Sequence, residues 1–213
     1  GRALVPAVAF ALVAVLVGLL AWGVADDGDD GDAPEQATET TAAAPSTTAG
    51  ARPRAAPSTT RVTQVAGVPA NWVSYTDPAT GYRIAHPPTW RVRPLDRTRT
   101  DITDPDTGSY LRVDWTDKPG PSPEADWERQ SPSFGSRHAG YQELRIDPTT
   151  YKGFPAAEWE YAYSSGGARL HAIDLGFVTG RYGFALNFQT PEAIWQESQP
   201  TFEAFKAAFQ PPA

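Results

Sequence analysis

The hydrophobic and polar positions divide this chain into three stretches of different character. Ala3 to Ala25 is a run of 23 residues without a charge. A helix needs roughly 20 apolar residues to cross the hydrocarbon core, at about 1.5 Å per residue. Pro6 falls in the first turn, where its missing N–H costs least, and Trp22 falls at the far end, where membrane proteins place an aromatic belt. Residues 1–25 are therefore expected to form a single transmembrane helix. Gly23-Val24-Ala25 would also serve as a signal-peptide cleavage site, but the run exceeds the roughly 7–15 residues of a typical signal-peptide core. Arg2 precedes the run and an acidic stretch follows it. Basic residues stay on the cytoplasmic side, which predicts that the rest of the chain lies outside.

Residues 26–67 have no apolar period. They open with Asp26, Asp27, Asp29, Asp30, Asp32, Glu35 and Glu39, then turn to Thr, Ala, Pro and Ser. Such a composition cannot bury enough surface to offset chain entropy, and it reads as a disordered stalk. The acidic start extends itself by repulsion. It lacks the ligand spacing of an EF-hand loop. The Thr/Ser/Pro-rich part is compatible with O-linked sugar or with a bare linker.

From Val68 to Ala213 the periods of folded structure appear. Gly81 to His86 reads as a strand entered through a turn at Asp77-Pro78, with Pro87-Pro88 ending it and Trp90 covering a core edge. Tyr110 to Trp115 alternates, predicting Leu111, Val113 and Trp115 inward and Arg112 and Asp114 toward water. Ser122 caps a short helix over Pro123 to Gln130. A meander follows: Tyr141–Asp147, Ala156–Ser164 with Ala157, Trp159, Tyr161 and Tyr163 on one face, and Arg169–Thr179 with apolar residues on both faces. Gly166-Gly167 suits a tight turn. Tyr182 to Gln189 is the next strand. Thr190-Pro191-Glu192 predicts a capped helix, interrupted at Pro200, with Phe202, Phe205 and Phe209 along one stripe. The expected fold class is α+β: an antiparallel twisted sheet with helices packed on it.

Composition narrows the chemistry. The chain has no Cys, which excludes disulfides, thiol nucleophiles and cysteine-ligated metal. The formal net charge is −7; seven carboxylates crowd the acidic stretch with no intervening base, and from Val68 onward 14 basic side chains nearly balance 18 acidic ones. Nothing forms the basic footprint of nucleic-acid binding.

His86, His138 and His171 have no ligand spacing, so no metal or cofactor is expected. Ser133, Ser136 and Ser165 lie in turns without a nucleophile elbow. Asp101, Asp104 and Asp106 could surround a calcium ion, but Asp-Pro-Asp-Thr-Gly is an ordinary turn. Glu158 and Glu160 share one strand face, a possible acid–base pair that is more simply a solvated face. Asp174 is an acid inside an apolar central strand. Buried there it needs a partner, with Arg169 or Arg181 the candidates. Six Trp occur from Trp72 onward. Trp127 and Trp195, on helices, are the ones expected at the surface. With Asp174 they are the candidate ligand or partner surface. No catalytic residues are assigned.

The motifs Tyr75-x-Asp77-Pro-x-x-Gly81-Tyr82, Pro87-Pro88-x-Trp90, Ala157-x-Trp159-x-Tyr161 and Gly180-Arg181-Tyr182, with the closing helix ending Ala208-Phe209, resemble those of PsbP/Mog1-like domains. The resemblance covers roughly Trp72 to Pro211 and rests on turns and core aromatics. It implies an outer domain like those of actinobacterial membrane-anchored lipoproteins, or like those that follow the single helix of transmembrane serine/threonine kinases. The chain contains no Met and begins at Gly1, in keeping with the tail of a longer kinase. It carries no Gly-rich loop, HRD or DFG of its own. The function expected is a non-catalytic extracytoplasmic sensor that binds an envelope ligand or protein. The alternative is a stand-alone anchored scaffold or assembly protein of the envelope.

Overall fold

The computed structural model describes residues 65–213. The expected transmembrane helix, and all of the expected stalk up to residue 64, lie outside the described residues. Among the described residues no helix is long and apolar enough to cross a membrane. The strands are β1 (Val73–Thr76), β2 (Arg83–His86), β3 (Arg91–Pro94), β4 (Arg99–Thr103), β5 (Tyr110–Thr116), β6 (Gln142–Tyr151), β7 (Phe154–Ser165), β8 (Ala168–Val178) and β9 (Gly183–Pro191). Helix α1 (Pro123–Arg137) lies between β5 and β6, and α2 (Trp195–Ala208) closes the fold after a 3₁₀ turn at Glu192–Ile194. The fold is α+β. β1 and β2 form a small antiparallel sheet, and the other seven strands form an antiparallel sheet in the order β3-β4-β5-β9-β8-β7-β6.

The period-2 alternation of the strands builds two cores, one on each face of the large sheet. On one face Leu111 and Val113 of β5, Phe184, Leu186 and Phe188 of β9 and Ile173, Leu175 and Phe177 of β8 pack with Phe202, Phe205 and Phe209. Tyr82 and Ile84, at the β1–β2 hairpin, complete this core. Trp90 packs at its edge, 5.4 Å from the Phe205 ring. On the other face Ala157, Trp159, Tyr161 and Tyr163 of β7 meet Trp127 and Phe134 of α1. β8 contributes to both cores, as expected for a strand apolar on each side.

Several local expectations are corrected. α1 runs to Arg137 rather than ending at Gln130, with Pro132 inside it. The burial of Ser131 and Phe134 against the sheet carries the helix past the proline. The Ser122 cap is present, its Oγ accepting from the Ala125 N–H at 3.2 Å. Thr190 and Pro191 do not begin a helix. They belong to β9, where Thr190 is paired with His171, and α2 starts at Trp195 without a side-chain cap. Pro200 does not interrupt α2, which is continuous across it. Gly166 and Gly167 both have positive φ, 57° and 83°, as the tight β7–β8 turn requires.

Candidate functional site

Three small residues in register, Ala157, Gly176 and Ala185, cross β7, β8 and β9. Trp127 lies over them. A Cβ on Gly176 would stand 2.7 Å from Trp127 Cζ2, and the indole N–H donates to the Ala157 carbonyl at 3.2 Å. Trp127 is therefore only 3% exposed, against the expectation of a surface position. Trp195 is likewise buried, at 4%, because its ring stacks on His171 with centroids 3.8 Å apart. Neither indole is on the surface. Helix periodicity alone does not show which strand residues leave room for a ring.

Asp174 leads to a connected polar row on the α1 face. Register places Asp101 of β4, Arg112 of β5, Asn187 of β9 and Asp174 of β8 side by side. Arg112 grips Asp101 with two parallel bonds, Nε to Oδ1 at 2.7 Å and Nη2 to Oδ2 at 3.0 Å. Asn187 Nδ2 donates to Asp174 Oδ2 and to the Tyr161 hydroxyl, each at 3.1 Å. One step along, the hydroxyls of Tyr110 and Tyr163 both donate to Gln189 Oε1.

Arg112 is 8% exposed, not turned to water as alternation predicted. An acid on the neighbouring strand holds it flat against the sheet. Arg169 and Arg181 are not the partners of Asp174. Arg169 binds the Gly140 carbonyl and Gln142, and Arg181 lies over the Tyr182 ring.

Burial sets the protonation behaviour of this row. It pushes Asp174 up to about 7, against the pull of the Asn187 hydrogen bond and the Arg112 charge. It pushes Asp114 up to about 7 as well, with Asp174 adding to the rise. The Tyr163 hydroxyl is raised to about 12 by the same cause.

On the opposite face, Glu158 and Glu160 are not a solvated pair. Arg145 bridges them, with Nη2 and Nε each 2.8 Å from a carboxylate. Glu158 also meets Lys206 of α2 at 3.4 Å. His171 Nε2 lies 2.8 Å from Glu160 Oε1, and its Nδ1 lies 3.2 Å from both Glu192 oxygens. A ladder of ion pairs thus runs from the entrance of α2 to its last turn. A cleft of about 360 Å³ beside it is lined by Thr149, Lys152, Glu158, Glu203 and Lys206, among others.

The ladder occupies both nitrogens of His171. The other two histidines donate to backbone carbonyls, His86 to Pro87 and His138 to Phe134, both at 2.8 Å. None of the three is hydrogen-bonded to a serine. Asp104 closes its turn by accepting from the Asp106 N–H and the Thr107 hydroxyl. Among the described residues no group of three or more acidic or imidazole side chains could hold a metal ion.

A family model described as the serine/threonine kinase C-terminal domain matches residues 74–211. No curated protein matches the sequence. Among solved structures, the chain is similar to the solution structure of CyanoP, the cyanobacterial PsbP of Synechocystis. They share 14% identity over 67% of this chain and 93% of that one, with a TM-score of 0.56. It is also similar to the crystal structure of LpqN of Mycobacterium tuberculosis, described as involved in cell envelope biogenesis. There the identity is 16% over 67% of this chain and 92% of that one, with a TM-score of 0.51. At these identities the likeness concerns the fold, which is PsbP-like.

Proposed function

We propose a function from one premise, that the chain belongs to the serine/threonine kinase C-terminal domain family: this domain is the non-catalytic, ligand- or partner-binding end of a membrane-spanning kinase, displayed outside the cytoplasm. The observation that carries the binding reading is the polar row Asp101–Arg112–Asn187–Asp174 with its flanking tyrosines. Buried polar groups cost stability unless every one is matched. An apolar sheet face would hold the fold as well or better, so a row of matched buried polar groups supports recognition rather than packing. The uncharged run at residues 3–25, with Arg2 before it and acids after it, supports the placement. CyanoP and LpqN share the fold, and LpqN is described as taking part in envelope biogenesis, which suits an outer domain.

The test uses the protein in its own membrane. Protease added to intact cells is expected to remove the Val68–Ala213 region and to spare a cytoplasmic kinase region. Full protection of the domain would overturn the placement. Asn187→Ala in the same protein is expected to leave phosphorylation of a generic substrate unchanged, while blunting the kinase's response to envelope stress. An unaltered response would remove the polar row from the recognition reading.

A further inference from the structure

Asp174 is 8% exposed, and its Oδ1 is buried without any hydrogen-bond partner. Its Oδ2 receives a single bond, from Asn187. Arg112, the cation that acts on it, is committed to Asp101 through two hydrogen bonds. A second cation, Arg99 of β4, lies across the ladder from Asp114 and acts on that carboxyl. β5 contributes Asp114 and Tyr110, and β7 contributes Tyr161.

An ionised carboxylate with one hydrogen bond in such surroundings is costly. The neutral acid keeps the Asn187 bond and removes the charge. We propose that Asp174 is a proton-binding site at the centre of the sheet, and that proton release switches the polar row from a closed form to one that must open toward water or a cation. The inference concerns the folded domain and does not depend on which side of a membrane the domain occupies.

Burial raises Asp174 and Asp114 to about 7 each, and Asp174 adds to the rise of Asp114 while Arg99 opposes it. An unfolded Asp loses its proton near about 3.9. The folded state therefore binds more protons than the unfolded one between that value and about 7. The stability owed to the protonated pair is complete below the unfolded value, falls as the pH rises toward 7 and is lost above it.

The experiment is a titration of the labelled domain from pH 4 to 9, following the Asp174 side-chain carboxyl carbon by NMR beside thermal unfolding of the wild type and of Asp174→Asn. The wild-type carboxyl is expected to change protonation state near neutrality, with the Asn187 side-chain amide and the Arg112 guanidinium moving in step. Asp174→Asn, which mimics the neutral acid, is expected to raise Tm at pH 8 and to flatten the fall in Tm between pH 5 and pH 8. A carboxyl already ionised at pH 5 overturns the proposal, as does an undiminished fall in Tm in the variant. Should the variant not fold, the wild-type carboxyl signal alone decides.

Discussion

At the scale of single residues, the molecule depends on side chains whose roles are set by register rather than by type. Gly176 is the clearest case. Its missing Cβ admits the Trp127 ring, so Gly176→Ala is expected to destabilise the domain by about 1–3 kcal/mol, the usual cost of overpacking. Chemical denaturation would read this directly, and an unchanged midpoint would show that Trp127 can shift. Arg112 teaches the same lesson in reverse. Its place in an alternating strand assigned it to water, because alternation tells only which face a residue occupies. Whether that face is wet depends on the acid across the ladder, Asp101, which no local pattern identifies. Asp174 is conspicuous in the sequence as a charge among apolar neighbours, but the sheet buries it to 8% rather than leaving it on the surface expected. Its partner was not legible, because Asn187 reaches it only through the pairing of β8 with β9.

Among the elements, α2 poses a question of magnitude. It is held by an aromatic stripe and by the Lys206–Glu158 end of an ion-pair ladder. A buried Phe removed to Ala costs about 3–5 kcal/mol. A partly exposed ion pair contributes roughly 0–1 kcal/mol. Phe205→Ala is therefore expected to unfold the domain at far lower denaturant, and Lys206→Ala to shift the midpoint only slightly. Comparable losses would mean that the ladder, not the core, secures the helix.

Pro132 allows a further check. A proline inside a helix is about 3 kcal/mol less favourable than Ala, and this one lies on the exposed side of α1. Pro132→Ala should raise Tm, and a fall would show that the proline fixes a bend the sheet requires. Strand positions were legible because the period-2 signal is strong in β5, β7 and β9 and because β8 is a run apolar on both faces. Helix ends were less so. Proline and threonine signal starts and stops, but buried residues beyond them, Phe134 in α1 and Phe202 and Phe205 in α2, override those signals.

For the whole molecule, the central strands have cover on both faces while β1, β2 and β3 sit at the margin. Amide exchange is expected to be slowest in β8 and β9 and fastest in β1 and β3; a uniform rate would deny any difference between centre and edge. The small sheet has a consequence of another kind. β2 is gripped on one side by β1 and on the other by the tail of the chain, where Arg83 and Gln210 exchange backbone bonds of 2.9 and 2.7 Å. The first strand and the last residues thus hold the same short element. Val73 lies opposite His86, at the open end of the hairpin. A pull on the front of the domain would load those rungs one after another, as a zipper rather than as a shear. β1 would peel away under a weak tug while both cores stayed shut, and the hairpin would act as a soft spring between whatever pulls and the sheet.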